Sequence, residues 1–103
     1  MAYRKNAAQF DALGDGARRE ILEKLRAGPR PVGEIAAGMT ISRPAVSQHL
    51  KVLKEARLVT DRAEGTRRVY QIDPQGLGEI RRWLDQFWEA SLAAFKDEVE
   101  GKR

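Results

Sequence analysis

Residues 42–57 set short hydroxyl, amide and cationic side chains at helical spacing. At about 100° per residue, Arg43, Ser47, Gln48, Lys51, Lys54 and Glu55 share one arc, while Ala45, Val46, His49, Leu50, Val52, Leu53 and Ala56 share the other. Gln pairs bidentately with adenine, Ser accepts either base type, and Lys or Arg reaches guanine or phosphate. The polar arc, with Ser42 just before it, therefore has the chemistry to read a DNA major groove. The same composition also describes a solvated helix face. A second basic cluster follows at Arg62 and Glu64-Gly65-Thr66-Arg67-Arg68. In a hairpin its cations would meet the flanking DNA backbone or minor groove, although a solubilising tip would look the same. Strand alternation sends Arg67 and Arg68 to opposite faces, which sets one of the two away from DNA. Lys51, Lys54, Arg62 and a wing Arg are the phosphate candidates, and Arg43, Ser47 and Gln48 the candidates for sequence preference.

Other chemistries are thinly supplied. The 103 residues contain no Cys and one His, which excludes disulfides, thiolate metal sites, a thiol redox switch and multi-histidine metal sites. His49 lies in the apolar arc and reads as a packed or half-buried residue bonded locally, with a phosphate contact as the alternative. As a base for Ser47 it stands two residues away, on a different helix face. Enzymatic function and a bound cofactor are therefore not expected. Asp85, Glu89, Asp97 and Glu98 would hold a hard cation only weakly, so no metal is expected either.

Charge is uneven. Through Ile72 there are 14 basic and 8 acidic residues, and from Asp73 onward 5 and 7, so a basic body carries a mildly acidic tail within a net +4. A polyanion partner suits the body. The first residues lack an apolar leader and apolar runs are short, so a cytoplasmic protein without a membrane partner is expected, nucleoid-associated when DNA-bound.

The elements that must position these residues follow from punctuation. A first helix lies within residues 1–14. Asp15 caps a second bearing Ala17, Ile21, Leu22 and Leu25, and Gly28-Pro29 stops it. Residues 31–57 form a helix-turn-helix: Pro31 opens a short helix, then Ser42 caps a longer one with Pro44 in its first turn. Residues 58–72 form a hairpin, with strands at 58–62 and 68–72 and a loop at 63–67. A long helix at 76–100 completes a single domain, 1–103. Its fold class is mainly α with a small β-hairpin.

On that last helix Leu77, Ile80, Trp83, Leu84, Phe87, Trp88, Ala90, Leu92, Ala94, Phe95 and Val99 span about 200°, against the ~100° a surface helix usually needs. A body of this size can cover only one side. The economical partner is a second copy, so a homodimer is expected through the first and last helices, at Phe10, Trp83, Leu84, Phe87, Trp88, Ser91 and Phe95. The aromatics alternatively line a pocket for an apolar effector. The acidic polar face has the wrong sign for an anionic membrane.

Ala17-Arg18-Arg19-Glu20-Ile21-Leu22, Val32-Gly33-Glu34-Ile35-Ala36, Ser42-Arg43-Pro44-Ala45-Val46-Ser47-Gln48-His49-Leu50-Lys51-Val52-Leu53, Leu58-Val59 and Gly65-Thr66-Arg67-Arg68-Val69-Tyr70 together resemble the ArsR/SmtB-type winged helix-turn-helix repressors. The resemblance covers roughly residues 10–73 and is most specific in the Ser42 to Leu53 block. It implies a homodimeric bacterial transcription regulator on double-stranded DNA, released from a twofold operator by a signal such as a small-molecule or protein effector. The implied recognition residues are Ser42, Arg43, Ser47, Gln48 and Lys51, with Arg67 and Arg68 on the wing. Relatives that sense metals use a Cys pair in the third helix or His and carboxylates on the last. Here the third helix reads Val32-Gly33-Glu34-Ile35 and the last lacks His. A winged helix that binds another protein without reading DNA is the rival expectation.

Overall fold

The computed structural model describes residues 6–101, so the part of the expected first helix in residues 1–5 lies outside the described residues. Helix α1 (Ala7–Leu13) gives way at Gly14 to α2 (Gly16–Leu25). The break is fixed locally, because Asp15 Oδ1 accepts from the backbone N–H of Ala17 at 2.8 Å and of Arg18 at 3.2 Å. After the turn through Gly28 comes β1 (Arg30–Pro31), then α3 (Val32–Ala37) and α4 (Arg43–Glu55). Ser42 caps α4 by accepting from the Ala45 N–H at 3.2 Å, and Pro44 occupies the first turn, where its missing N–H costs no helical bond.

Strands β2 (Val59–Glu64) and β3 (Arg67–Ile72) form the hairpin. Their loop is two residues, Gly65 and Thr66, rather than the five expected. Gly65 has φ +62° while Thr66 is not left-handed, the pattern of a type II′ turn. Pairing from Val59↔Ile72 to Glu64↔Arg67 extends the ladder to the tip. Strand β1, which no pattern in the sequence signals, joins the open edge of β3 through Arg30↔Tyr70 and Pro31↔Val69 and gives the order β1-β3-β2.

The core gathers Ile21 and Leu25 from α2, Ile35 from α3, Val46, Leu50 and Leu53 from α4, and Leu58, Val59 and Ile80. Val52, placed with the apolar arc from sequence, stays 38% exposed at the rim of that arc. At the end of α4 the Leu58 N–H donates to the Leu53 carbonyl at 2.9 Å and the Arg57 N–H to Lys54 at 3.0 Å. This is a Schellman closure, with Arg57 at φ +64° where glycine is usual.

Helix α5 (Pro74–Glu100) begins two residues before its expected start. Asp73 caps it through the Gln75 N–H at 2.9 Å. Gly76 is buried on the end of α4, where a Cβ would collide with the Arg57 carbonyl oxygen. Among 27 residues, spanning about 40 Å, only Gly76 and Ile80 are buried. The helix leaves the body and gives the molecule its 66 × 26 × 22 Å outline.

Candidate nucleic-acid interface

Ser42, Arg43, Ser47, Gln48, Lys51 and Lys54 are all exposed along one side of α4, opposite the buried Val46, Leu50 and Leu53. Their placement follows from helical period plus core burial. Arg43 leans back over α3, with its guanidinium 3.7 Å from where a Gly33 Cβ would sit. Beside it opens a cleft of about 520 Å³, walled by the start of α3 with Glu34, by Arg43, and by Thr66, Arg67 and Arg68 of the hairpin tip. Arg43 and Arg67 stand at its edge, with Arg68 paired to Asp61, and their positive charge suits an anionic strand.

The register divides the wing. Val59, Asp61 and Ala63 share the face of Arg68, Tyr70 and Ile72, the side turned to α4, whereas Arg62, Glu64, Arg67 and Gln71 share the other. Arg67 and Arg68 therefore do part, as alternation requires, although both edge the cleft. Several candidate cations already have partners. Asp61 Oδ1 lies 2.9 Å from Lys54 Nζ and its Oδ2 3.5 Å from Arg68 Nε. Arg62 Nε donates to Glu64 Oε2 at 2.9 Å, and its Nη1 to Gln71 Oε1 at 3.0 Å. Among the described residues Lys51 and Arg67 carry no ion pair. Tyr70, half-buried beside Asp61, has its phenol pushed up by burial first and then by that carboxylate.

Behind the exposed side of α4 two polar groups brace the helix, and neither was singled out from sequence. Arg18 on α2 donates from Nε to the Ala12 carbonyl at 2.8 Å and from Nη2 to Asp11 at 3.2 Å, and its Nη1 lies 3.4 Å from His49 Nδ1. A guanidinium only donates, so in this contact Nδ1 can serve only as the acceptor. His49 is half-buried as expected, yet its partner is 31 residues away rather than local. The Arg18 backbone N–H, ahead of the Ala17 N–H and the Arg18 charge, holds the Asp15 carboxyl below its ordinary range against a contribution from burial.

Gln9 is the second brace. Buried on α1, it donates from Nε2 to the Ala56 carbonyl at 3.0 Å, at the end of α4, and to Glu79 Oε1 of α5 at 3.4 Å. Only its three-residue spacing from buried Ala12 signals this in the sequence.

The expected self-association residues sit apart from this surface. Phe10 packs edge-on against Trp83, with centroids 5.0 Å apart, and Trp83 stacks on Phe87 at 5.5 Å. Beyond them Leu84, Phe87, Trp88 and Phe95 are 49, 61, 64 and 67% exposed, and Ser91 is exposed among them. Among the described residues no group of His, Cys, Asp or Glu comes together to hold a metal, and no helix is long and apolar enough to cross a membrane.

The family of bacterial regulatory proteins named for arsR has a model that matches residues 15–61. The HTH-type transcriptional regulator Rv2034 of Mycobacterium tuberculosis is 53% identical over 100 residues, covering 97% of this chain and 94% of the relative. The transcriptional repressor SdpR of Bacillus subtilis is 35% identical over 78 residues, covering 76% and 87%. Among solved structures, the homodimeric winged helix-turn-helix DNA-binding domain Mb0332 of Mycobacterium bovis superposes with a TM-score of 0.65 at 28% identity, over 94% of this chain and 83% of that one.

Proposed function

The chain belongs to the ArsR family of bacterial transcription regulators, and from that premise we propose that it is a homodimeric repressor that occludes a promoter at a twofold operator. The family is one of DNA-binding regulators rather than enzymes. One observation carries the reading: the polar side of α4 stands uncovered next to a cleft edged by Arg43, Arg67 and Arg68. In this arrangement α4 enters the major groove and the phosphate strand bordering it follows the cleft. The hairpin tip then meets the adjacent minor groove.

Residue roles follow from reach and freedom. Ser42, Ser47 and Gln48 face base edges. Arg43, Lys51 and Arg67 take phosphates, releasing counterions and supplying affinity. Lys54, Arg62 and Arg68 keep the intramolecular partners described above. His49, held by Arg18, stays with the core and sets the rotation of α4. The exposed apolar side of α5 packs against the same helix of a second copy, with Phe10 and Trp83 at its base, and so spaces two α4 helices about 34 Å apart for successive major grooves. That the similar Mycobacterium bovis domain is homodimeric supports association of two copies. The protein would then act at the chromosome, in the cytoplasm. Without Cys and with one His, the chain supplies neither a thiolate set nor a multi-histidine set for a metal signal.

Selection from a random duplex pool tests the reading, followed by titration of the selected and a scrambled duplex. Gln48→Ala should lower discrimination at one base position by about 1–3 kcal/mol, whereas Lys51→Ala should weaken both duplexes alike. Unchanged discrimination in Gln48→Ala would remove α4 from the groove. A parent protein that selects no sequence would favour the protein-interaction module.

A further inference from the structure

An acid in the middle of a cationic reading surface opposes the attraction for phosphate. Asp61 is such an acid. It lies on the core-facing side of β2, and its side chain is 9% exposed. Its two oxygens are used separately, one by Lys54 from the last turn of α4 and the other by Arg68 near the hairpin tip. Those two cations are themselves about half exposed, at 54 and 55%, so each has solvent access that a DNA phosphate would share. Glu64 treats Arg62 in a similar way on the opposite face, but that pair is exposed on both sides and lies within one strand. Asp61 alone, among the ion pairs of the described residues, joins the recognition helix to the wing.

We infer that Asp61 is a specificity-determining residue of the reading head: it withholds Lys54 and Arg68 from indiscriminate phosphate contact and fixes the wing against α4. The inference rests on the DNA-binding reading above. Two cations tethered to one nearly buried carboxylate add little to binding at any phosphate, because counterion release requires them to leave a partner already in place. Sequence-independent affinity is thereby kept low. Base-edge contacts from a rigidly related α4 and wing make up a larger share of the total.

Asp61→Asn removes the charge while keeping shape and one acceptor. Measured by fluorescence anisotropy on the selected and scrambled duplexes over a salt series, the variant should bind scrambled DNA about tenfold more tightly at low salt. Its salt slope should steepen by about 1–2, since each released cation adds about 0.9. The ratio of selected to scrambled affinity should fall about tenfold, and adding Lys54→Gln to Asp61→Asn should recover roughly half of the slope change. A variant whose slope and ratio match the parent's overturns the proposal. So does one that weakens both duplexes equally, since Asp61 is then only a brace. Lys54→Gln in the parent background keeps the test decisive if Asp61→Asn does not fold. The proposal expects the salt slope to stay within about 0.3 of the parent's, and a loss of about 0.9 shows that Lys54 already serves phosphate. A parent that binds neither duplex instead overturns the DNA reading itself.

Discussion

Helices α4 and α5 are both amphipathic, and the body treats them in opposite ways. It covers the apolar side of α4, through Val46, Leu50 and Leu53, and leaves the hydroxyls, amides and cations uncovered. On α5 it covers little beyond Gly76 and Ile80 and leaves Leu84, Phe87, Trp88, Leu92, Phe95 and Val99 in the open. What a chain cannot satisfy by itself describes what it meets. The polar remainder of α4 asks for a polyanion with readable edges, and the apolar remainder of α5 for another apolar surface. The two are mechanically joined, because Gly76 seats the start of α5 on the backbone that ends α4 while Gln9 ties the same corner to α1.

The contrast breaks most visibly at the far end of α5. Trp88→Glu with Phe95→Glu puts charge into the uncovered apolar side and should give a monomer by sedimentation. Affinity for a two-half-site duplex should fall about a thousandfold and that for a single half-site barely change, because only the linkage between copies is lost. The melting temperature should fall where the parent is paired and match the parent's at dilutions where it is not, since neither residue is covered by its own chain. Equal losses on both duplexes would mean that α5 supports the reading head directly.

Gly76→Ala attacks the joint instead. The added methyl meets the Arg57 carbonyl, and α5 must lift from α4. Destabilisation of about 3 kcal/mol in chemical denaturation is expected. The smallest effect is a gain. Arg57→Gly replaces a left-handed Arg in the Schellman closure and should stabilise by about 0.5–1 kcal/mol, the relief at positive φ less the added freedom of the unfolded chain. Loss of stability on that change would show that the Arg57 side chain holds the corner.

Local features of the fold were legible in the sequence, because Asp15, and Ser42 with Pro44, bond to groups within three residues. Their caps mark helix starts without reference to anything distant. Strand β1 was not legible: two residues, one of them Pro, carry no alternation, and its pairing is fixed by the open edge of β3 some 40 positions on. The hairpin loop is shorter than its composition suggests, because Ala63, Glu64 and Arg67 are small or charged and leave Gly65 as the sole signal of the turn. The exposed arc of α4 was readable from period alone. The engagement of Lys54 and Arg68 was not, since it requires Asp61 to meet residues from two other elements. For the same reason the sequence points to a local partner for His49, whereas Arg18 of α2 is the group it meets.

The uncovered length of α5 also bears on dosage. If the form that grips a twofold operator is a pair, then below the concentration at which pairs dominate, occupancy climbs with the square of the amount of chain. A cell could then sharpen or blunt the response of the regulated promoter through synthesis rate alone, and the aromatic residues of that helix, far from any base, would set where the threshold falls.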